Sequence, residues 1–265
     1  MEPKKYSQID IHVPAHPNSL LDKALTVINA DVEIKTLWRV TNVNAIDRLE
    51  MTDHGPVHFQ IVVNIATRLA RILVKHQVEM SIVKNYELSN DHAELVILLA
   101  SLFHDLGMSI SREGHEGFSL FLANSLLHRI LDFLSIEERT IVISETLHAI
   151  IAHHSGGRPY TIESGVVRVA DALDMSEGRS RIPYEAGKID IHSVSAAAID
   201  RVEIAEGADK PIQINIYMNN MAGIFQVDEL LKQKLVGSGI EKYIIVSAYL
   251  NEVQGNKLIK EFEVG

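Results

Sequence analysis

The sequence lacks cysteine altogether, has fewer basic than acidic side chains, and contains no long apolar run. The absence of cysteine excludes disulfide frameworks, thiolate zinc sites, iron–sulfur clusters and thiol nucleophiles. The 25 Lys and Arg residues against 35 Asp and Glu residues give a formal charge of −10. This charge argues against nucleic acid as a partner, because duplex affinity comes mainly from cations that neutralise phosphates.

Signals for membrane insertion and secretion are also missing from the sequence. The longest apolar run, from Leu95 to Phe103, is bounded by Glu94 and His104 and is much shorter than the ~20 residues of a membrane span. No apolar segment follows the two lysines in residues 1–5, so we expect no secretory signal. The expected location is the cytoplasm.

Histidine, by contrast, is abundant and clustered. The chain has 13 histidines, and ten of them fall between residues 54 and 154. These ten are His54, His58, His76, His92, His104, His115, His128, His148, His153 and His154. Because histidine is the commonest metal ligand, the clustering favours a metal site.

The pattern of apolar residues divides the 265-residue chain into two parts. Helical spacing dominates up to about residue 184, whereas apolar and polar residues alternate from Ile212 to Met218. Helices are predicted at about 56–76, 93–103, 114–131, 137–153, 162–175 and 226–236, and further strands at about 243–250 and 257–264. We therefore predict a mainly α fold, with a helical domain over residues 1–184. A small α/β appendage over residues 185–265 would serve in dimerisation or effector binding.

Several histidines and carboxylates stand at helix ends or among apolar residues. His104 and Asp105 emerge together at the end of an apolar helix. His54 and His58 are four residues apart and share one face if the helix extends back to residue 54, although a turn there fits equally well. Asp171 lies within an apolar helix, where an unpaired carboxylate would be costly, so it needs a partner, a metal or a place at the edge.

The adjacent residues His153 and His154 end another apolar helix, ahead of two glycines. Neighbouring helical positions diverge by about 100°, so the two rings cannot easily bind one ion from a regular helix. They can instead serve two ions about 3.5–4 Å apart, or one ion and the substrate.

Together these elements resemble the HD superfamily of metal-dependent phosphohydrolases. The signature of that superfamily is a His early in one helix, a His-Asp pair that ends another, and an Asp on a later helix. The matching residues are His58, His104, Asp105 and Asp171. The resemblance covers roughly residues 50–180 and implies an HD-domain helical bundle in which these four residues bind a metal. Asp174, three residues beyond Asp171, is a candidate for supporting a ligand.

Further features resemble the subset of the superfamily that holds two metals. The additional ligands implied by this resemblance are His54, His115, His153 and His154. His128 also follows the His-Asp pair and is an alternative to His115, which we favour because it opens a helix as His58 does. The Gly-Tyr-Pro element of that subset does not follow the paired histidines, which argues against cyclic-di-GMP phosphodiesterase activity.

The implied reaction is hydrolysis of a phosphate ester, on a nucleotide or another small molecule, by a metal-activated water. Nitrogen and oxygen ligands without sulfur suit Mn, Fe, Zn, Ni or Co, as one ion or two. The expected catalytic residues are His104, Asp105 and His115. An acidic protein must place cations locally to bind phosphate, and the candidates near the motifs are Arg112, Arg158, Arg179 and Arg181.

Two other functions remain open from the sequence. The first is a non-catalytic sensor or scaffold that binds a nucleotide with an HD domain, and the second is a diiron oxygenase with an HD-type site. The complete set of ligands argues against the sensor, because a site that has lost its activity usually shows losses. A homodimer is expected only because two-fold dimers are the commonest oligomers.

Overall fold

Apolar side chains spaced three and four residues apart fold the N-terminal part of the chain into a helical bundle. The computed structural model describes residues 9–14, 17–154, 156–175, 191–252 and 255–263. The helices of the bundle are α1 (Ser19–Ala30), α2 (Val32–Asn42), α3 (Pro56–Lys75), α4 (Ser81–Tyr86), α5 (Asn90–Phe103), α6 (His115–Ile130), α7 (Ile136–Ala152) and α8 (Ile162–Leu173). A π-helical turn (Val43–Arg48) follows α2, and a 3₁₀ turn (Leu106–Ser109) follows α5.

Short polar side chains determine where several of these helices begin. The capping side chains that accept hydrogen bonds from first-turn N–H groups are Asn18, Asp31, Ser135 and Thr161. At α3, Gly55 is the capping residue and Pro56 occupies the first helical position, as the sequence predicts. This start places His58 in the first turn of α3.

Helix α5 is the centre of the bundle. Every residue from Ala93 to Phe103 is buried, in agreement with the prediction of a helix that is apolar on nearly every side. It packs against α3, α7 and α8. Its C-terminal end therefore brings His104 and Asp105 into the interior of the bundle, where both are buried.

One helix in the described ranges, α3, is long and apolar enough to cross a membrane by length and composition. In the structure, 56% of its apolar window is buried. Its residues Phe59, Val62, Ala66 and Leu69 belong to the hydrophobic core. A buried core helix passes the same length test, so α3 is weak evidence for a membrane span.

The C-terminal part of the chain forms a four-stranded mixed sheet. Its strands, in spatial order, are β1 (Ile199–Glu206), β2 (Ile212–Met218), β3 (Ile244–Glu252) and β4 (Gly255–Glu263). The β1–β2 and β3–β4 pairs are antiparallel, whereas β2 and β3 are parallel. A parallel pair requires a crossover. The crossover here contains the π-helical turn Gln226–Leu231 and the short helix α10 (Lys232–Leu235), and helix α9 (Ile191–Ala197) precedes β1.

The sheet and the crossover pack against two helices of the bundle. The inward residues of β2, which are Ile212, Ile214, Ile216 and Met218, are buried and belong to the same hydrophobic core as the helices. Strands β1 and β2 contact α3, and the crossover contacts α8. The crossover therefore lies beside the helix that carries Asp171.

The predicted fold class, mainly α with a C-terminal α/β part, is confirmed. Strand β1 was not predicted, because only Ile199 and Ile204 are buried in it and its sequence does not alternate. The boundary expected at residue 184 falls among residues 176–190, outside the described residues. The division into two domains stays a prediction.

Candidate metal centre

The ends of several helices meet at one place inside the bundle. The residues brought together are His58 at the start of α3, His104 and Asp105 after α5, His115 at the start of α6, His153 after α7 and Asp171 near the end of α8. All six are buried, and they are called the His/Asp cluster below. Packing of the apolar helix faces thus collects polar side chains that are far apart in the sequence.

One half of the His/Asp cluster consists of His58, His104 and Asp171. The Nε2 atoms of the two histidines are 3.2 Å apart. Oδ1 of Asp171 lies 3.4 Å from Nε2 of His58 and 3.7 Å from Nε2 of His104. These ligand atoms all lie within 4.8 Å of one another, so a single ion with bonds of about 2.0–2.2 Å can be placed among them.

Asp105 stands between this half of the cluster and a second group of histidines. Its Oδ2 atom is 3.4 Å from Nε2 of His104 and 3.7 Å from Nε2 of His58. Its Oδ1 atom is 3.1 Å from Nε2 of His115 and 3.6 Å from Nε2 of His153. The two oxygens of one carboxylate therefore face two different pairs of imidazoles.

The tautomers of these histidines suit metal binding. In each of these rings and in that of His54, Nδ1 lies close to an oxygen that accepts a hydrogen bond. These pairs are His54 with the Thr52 carbonyl at 2.7 Å, His58 with Oδ2 of Asp174 at 2.6 Å, His104 with the Ser101 carbonyl at 3.0 Å, His115 with the Arg112 carbonyl at 3.0 Å and His153 with the Ile150 carbonyl at 2.6 Å. Nδ1 of a neutral ring then carries the proton and Nε2 keeps its lone pair for a metal. The donor set fits a divalent transition metal.

The charges in the His/Asp cluster attract cations. Burial by itself lowers the pKa of His104, but the carboxylates of Asp105 and Asp171 outweigh burial and raise the pKa to about 10. Burial together with the charge of His104 lowers the pKa of His153 to about 3. Burial opposes ionisation of Asp105, yet His104 and His115 hold the pKa of that carboxyl well below its usual range. A metal ion can therefore replace the proton that these carboxylates hold on His104.

Two of the predicted ligands lie beside the cluster and not in it. His54 is buried with its ring centroid 5.8 Å from that of His58, but it belongs to neither three-residue group. His154 has a side chain that is 48% exposed, and its Nε2 atom lies 3.3 Å from Oε1 of Glu116. His153 points to the cluster instead, so the two adjacent rings diverge as their helical positions require.

The structure separates the two candidates for the third histidine of the motif. His115 is buried at the start of α6, where it approaches Asp105. His128 is exposed in the last turn of the same helix. The geometry therefore favours His115 as the residue that takes part in the site.

The two predicted phosphate-binding arginines that the structure describes lie on exposed loops. Arg112 is exposed on the loop before α6, with Nη1 3.8 Å from Sδ of Met108. Arg158 is exposed on the loop after α7. Arg179 and Arg181 lie outside the described residues.

One cationic side chain that was not predicted from the sequence contacts the cluster. Lys234 of α10 donates from Nζ to Oδ2 of Asp171. The two residues are 63 positions apart, and the sequence around Lys234 predicts only a helix. No spacing in the sequence could have found this contact.

The structure is thus a helical bundle whose helix ends gather buried histidines and aspartates that could hold metal ions. The comparisons with known proteins agree: the chain matches the HD domain over residues 57–176, a range that contains all six cluster residues. The chain therefore contains an HD domain over residues 57–176.

Two relatives illustrate the range of similar proteins. The chain is 43% identical over 217 residues to a protein of Methanocaldococcus jannaschii called uncharacterized protein MJ1020, a match that covers 82% of this chain and 84% of that protein. It is 31% identical over 118 residues to Ribonuclease Y of Thermoanaerobacter pseudethanolicus, which covers 43% of this chain and 21% of that enzyme. No solved structure gives a significant match.

Proposed function

We propose that the protein is a metal-dependent phosphohydrolase that cleaves a phosphate ester of a nucleotide or another small molecule. The observation that carries this proposal is the buried His/Asp cluster, in which four imidazole Nε2 atoms surround the carboxylate of Asp105. The match to the HD domain over residues 57–176 supports it.

The arrangement suggests two adjacent positions for ions. The first would be held by His58, His104, Asp171 and Oδ2 of Asp105, and the second by His115, His153 and Oδ1 of Asp105. A divalent ion bound there would supply a water with its pKa lowered toward ~7 and a positive charge for a phosphoryl oxygen. Asp105 would bridge the two positions.

Other residues of the chain would prepare the site for catalysis. Asp174 orients His58 by accepting a hydrogen bond from Nδ1 at 2.6 Å. His154 lies at the exposed side, with its ring centroid 6.2 Å from that of His115, where an imidazole can donate a proton to a leaving group. Arg112 is exposed on the loop that precedes His115 and can contact a phosphate that approaches from solvent.

The substrate is proposed only by chemical class. The acidic charge of −10 favours a small phosphorylated molecule over a long nucleic acid. The relative named Ribonuclease Y acts on RNA by its name, so phosphodiesters belong among the test substrates. A cytoplasmic location and a homodimer remain proposals of the same kind.

The first experiment asks whether the cluster holds metal. Bound metal would be measured by mass spectrometry in the wild type, in His104→Ala, in Asp105→Ala and in the control His128→Ala, whose target is exposed on α6. Removal of a direct ligand should weaken binding by more than the ~10–100-fold typical of a supporting residue. Unchanged metal content in both cluster variants would refute the site.

The second experiment asks for the reaction. Protein loaded with Mn²⁺ or Co²⁺ would be given phosphomonoesters, nucleoside triphosphates, cyclic mononucleotides, cyclic dinucleotides and a short RNA. We expect the wild type to hydrolyse at least one class, and His104→Ala to lose that activity. Binding of a nucleotide without turnover would instead support the sensor, and consumption of oxygen with an iron-loaded protein would support the oxygenase.

A further inference from the structure

The crossover of the C-terminal sheet packs directly against α8. Gly165, Arg168 and Asp171 are spaced three residues apart and form one stripe along that helix. A Cβ atom at Gly165 would lie 2.1 Å from the carbonyl oxygen of Ser238, so the two backbones approach as closely as a glycine permits. Residues 233–238 therefore pack against the stripe of α8 that carries Asp171, a predicted metal ligand.

Arg168 connects this crossover to the loop after the paired histidines. Its Nε donates to the Lys234 carbonyl at 2.9 Å. Its Nη1 donates to the carbonyls of Gly157 at 2.6 Å and His154 at 2.9 Å. Because Arg168 is 3% exposed, these are buried charge-assisted hydrogen bonds, and they hold the backbone of Lys234 in a defined position beside the site.

The side chain of Lys234 turns from this anchored backbone toward the His/Asp cluster. Its Nζ donates to Oδ2 of Asp171, while Oδ1 of Asp171 faces His58 and His104. Within the described ranges, Lys234 is the one lysine or arginine that pairs with a carboxylate of the cluster. Its charge also assists burial in lowering the pKa of His153. The ammonium group therefore lies against the cluster on the side of α7 and α8.

The side chain of Lys234 is not fully buried. The side chain of Lys234 is 20% exposed, whereas that of Asp171 is 9% exposed. A lysine has three N–H donors, and the contact with Asp171 uses one of them. A cation held beside a possible metal position, with donors left and on a partly exposed side chain, has the chemistry that binds an oxyanion.

We propose that Lys234 binds the phosphoryl oxygens of the substrate beside the metal centre, so that the C-terminal α/β part of the chain completes the active site. This proposal rests on the proposed phosphohydrolase function. It assigns a substrate contact to the part of the chain that the sequence predicts to be only a dimerisation or effector unit.

The test measures binding of inorganic phosphate to the full chain loaded with Mn²⁺, by calorimetry, together with the metal content of each variant. The variants are Lys234→Met, which removes the charge, and Lys234→Arg, which keeps it. The control is Lys232→Met on the same short helix, because Lys232 is exposed with Nζ 5.9 Å from the ring centroid of Phe262. Circular dichroism checks that each variant is folded.

We expect Lys234→Met to weaken phosphate binding by roughly 10–100-fold, the effect of losing one charge-assisted hydrogen bond. Lys234→Arg should keep most of the affinity and Lys232→Met all of it, with equal metal content throughout. Wild-type affinity in Lys234→Met overturns the proposal, as does a wild type that binds no phosphate. A loss of phosphate binding in step with a loss of metal also overturns it, since Lys234 would then merely support Asp171.

Failure of the proposed function gives a different result. In that case the metal-loaded wild type turns over no substrate of the panel, while its phosphate binding still depends on Lys234. If instead a substrate is found, the KM of Lys234→Met should rise more than its kcat falls, because the lysine contacts the phosphate before and during the reaction.

Discussion

At the scale of single residues, the orientation of the cluster histidines has two different origins. His104, His115 and His153 each have Nδ1 near the carbonyl of the residue three positions earlier. His104 and His153 follow helices whose last carbonyls have no partner within the helix, so these contacts are local. His58 sits in a first turn, and its Nδ1 depends on Asp174, which is 116 positions away.

Asp174→Ala is therefore expected to weaken metal binding by about 10–100-fold, the usual effect of removing the partner that orients a ligating histidine. Asp174→Asn should lose less metal affinity than Asp174→Ala, because the amide oxygen can still accept the hydrogen bond from Nδ1 of His58. Metal titration followed by calorimetry would measure both. The control is Asp132→Ala, whose side chain is 86% exposed, and equal affinities for all variants would show that Asp174 does not position His58.

At the scale of secondary structure elements, the turn after His104 and Asp105 is hydrogen-bonded to α6. The N–H of Gly107 donates to Oγ of Ser119 at 2.8 Å, and that hydroxyl donates to the carbonyl of His104 at 2.6 Å. The sequence suggests that Gly107 merely ends a helix. In the structure Gly107 allows close approach, since a Cβ atom there would lie 1.9 Å from the carbonyl oxygen of His115.

Gly107→Ala should displace the start of α6 and with it His115. We expect a loss of about 1–3 kcal/mol in the free energy of unfolding, typical of overpacking, and weaker binding of metal. The matched control is Gly117→Ala on α6, where no atom beyond the adjacent turns of the helix lies within 4 Å of the added Cβ and where alanine should stabilise the helix. Urea unfolding would compare the two. Equal stability of both variants would contradict the close approach.

At the scale of the whole molecule, two buried carboxyl groups make the stability depend on pH. Glu163 of α8 is fully buried and accepts a hydrogen bond from the N–H of Ile82 at 3.0 Å, and Glu145 of α7 accepts one from the hydroxyl of Tyr86 at 3.0 Å. Among the described residues, Oε2 of each has no hydrogen-bond partner. Burial, reinforced by the charge of Glu145, raises the pKa of Glu163. Burial also raises the pKa of Glu145.

A raised pKa in the folded state means that Glu163 stabilises the fold fully below its unfolded pKa of about 4.3. This contribution is lost as pH rises through the higher folded value. The free energy of unfolding of Glu163→Gln should therefore rise relative to that of the wild type as pH increases from about 4 to 7. Urea unfolding at several pH values would measure the difference. Exposed Glu137→Gln is the control, and a difference that does not vary with pH would disprove the ionisation of Glu163.

Much of the helical part could be predicted because its signals are local. Pro56 after Gly55 marked the start of α3, and the run of apolar residues before His104 marked the buried α5. Strand β2 was predicted with its observed limits, since its residues alternate. Strand β1 and the short α4 were missed because neither has a clear period.

The sequence by itself determined the chemistry of the site. The absence of cysteine excluded sulfur ligands, and the resemblance of His58, His104, Asp105 and Asp171 to the HD superfamily motif predicted a metal centre of nitrogen and oxygen ligands. These signals could be read because they lie in short local stretches of the sequence. Only the tertiary structure decided which side chains meet. Packing of helices that are distant in the chain places His115 beside Asp105 and leaves His128 and His154 exposed. The same packing brings Lys234 into contact with Asp171. Such contacts leave no periodicity or spacing in the sequence, since packing of whole elements determines them.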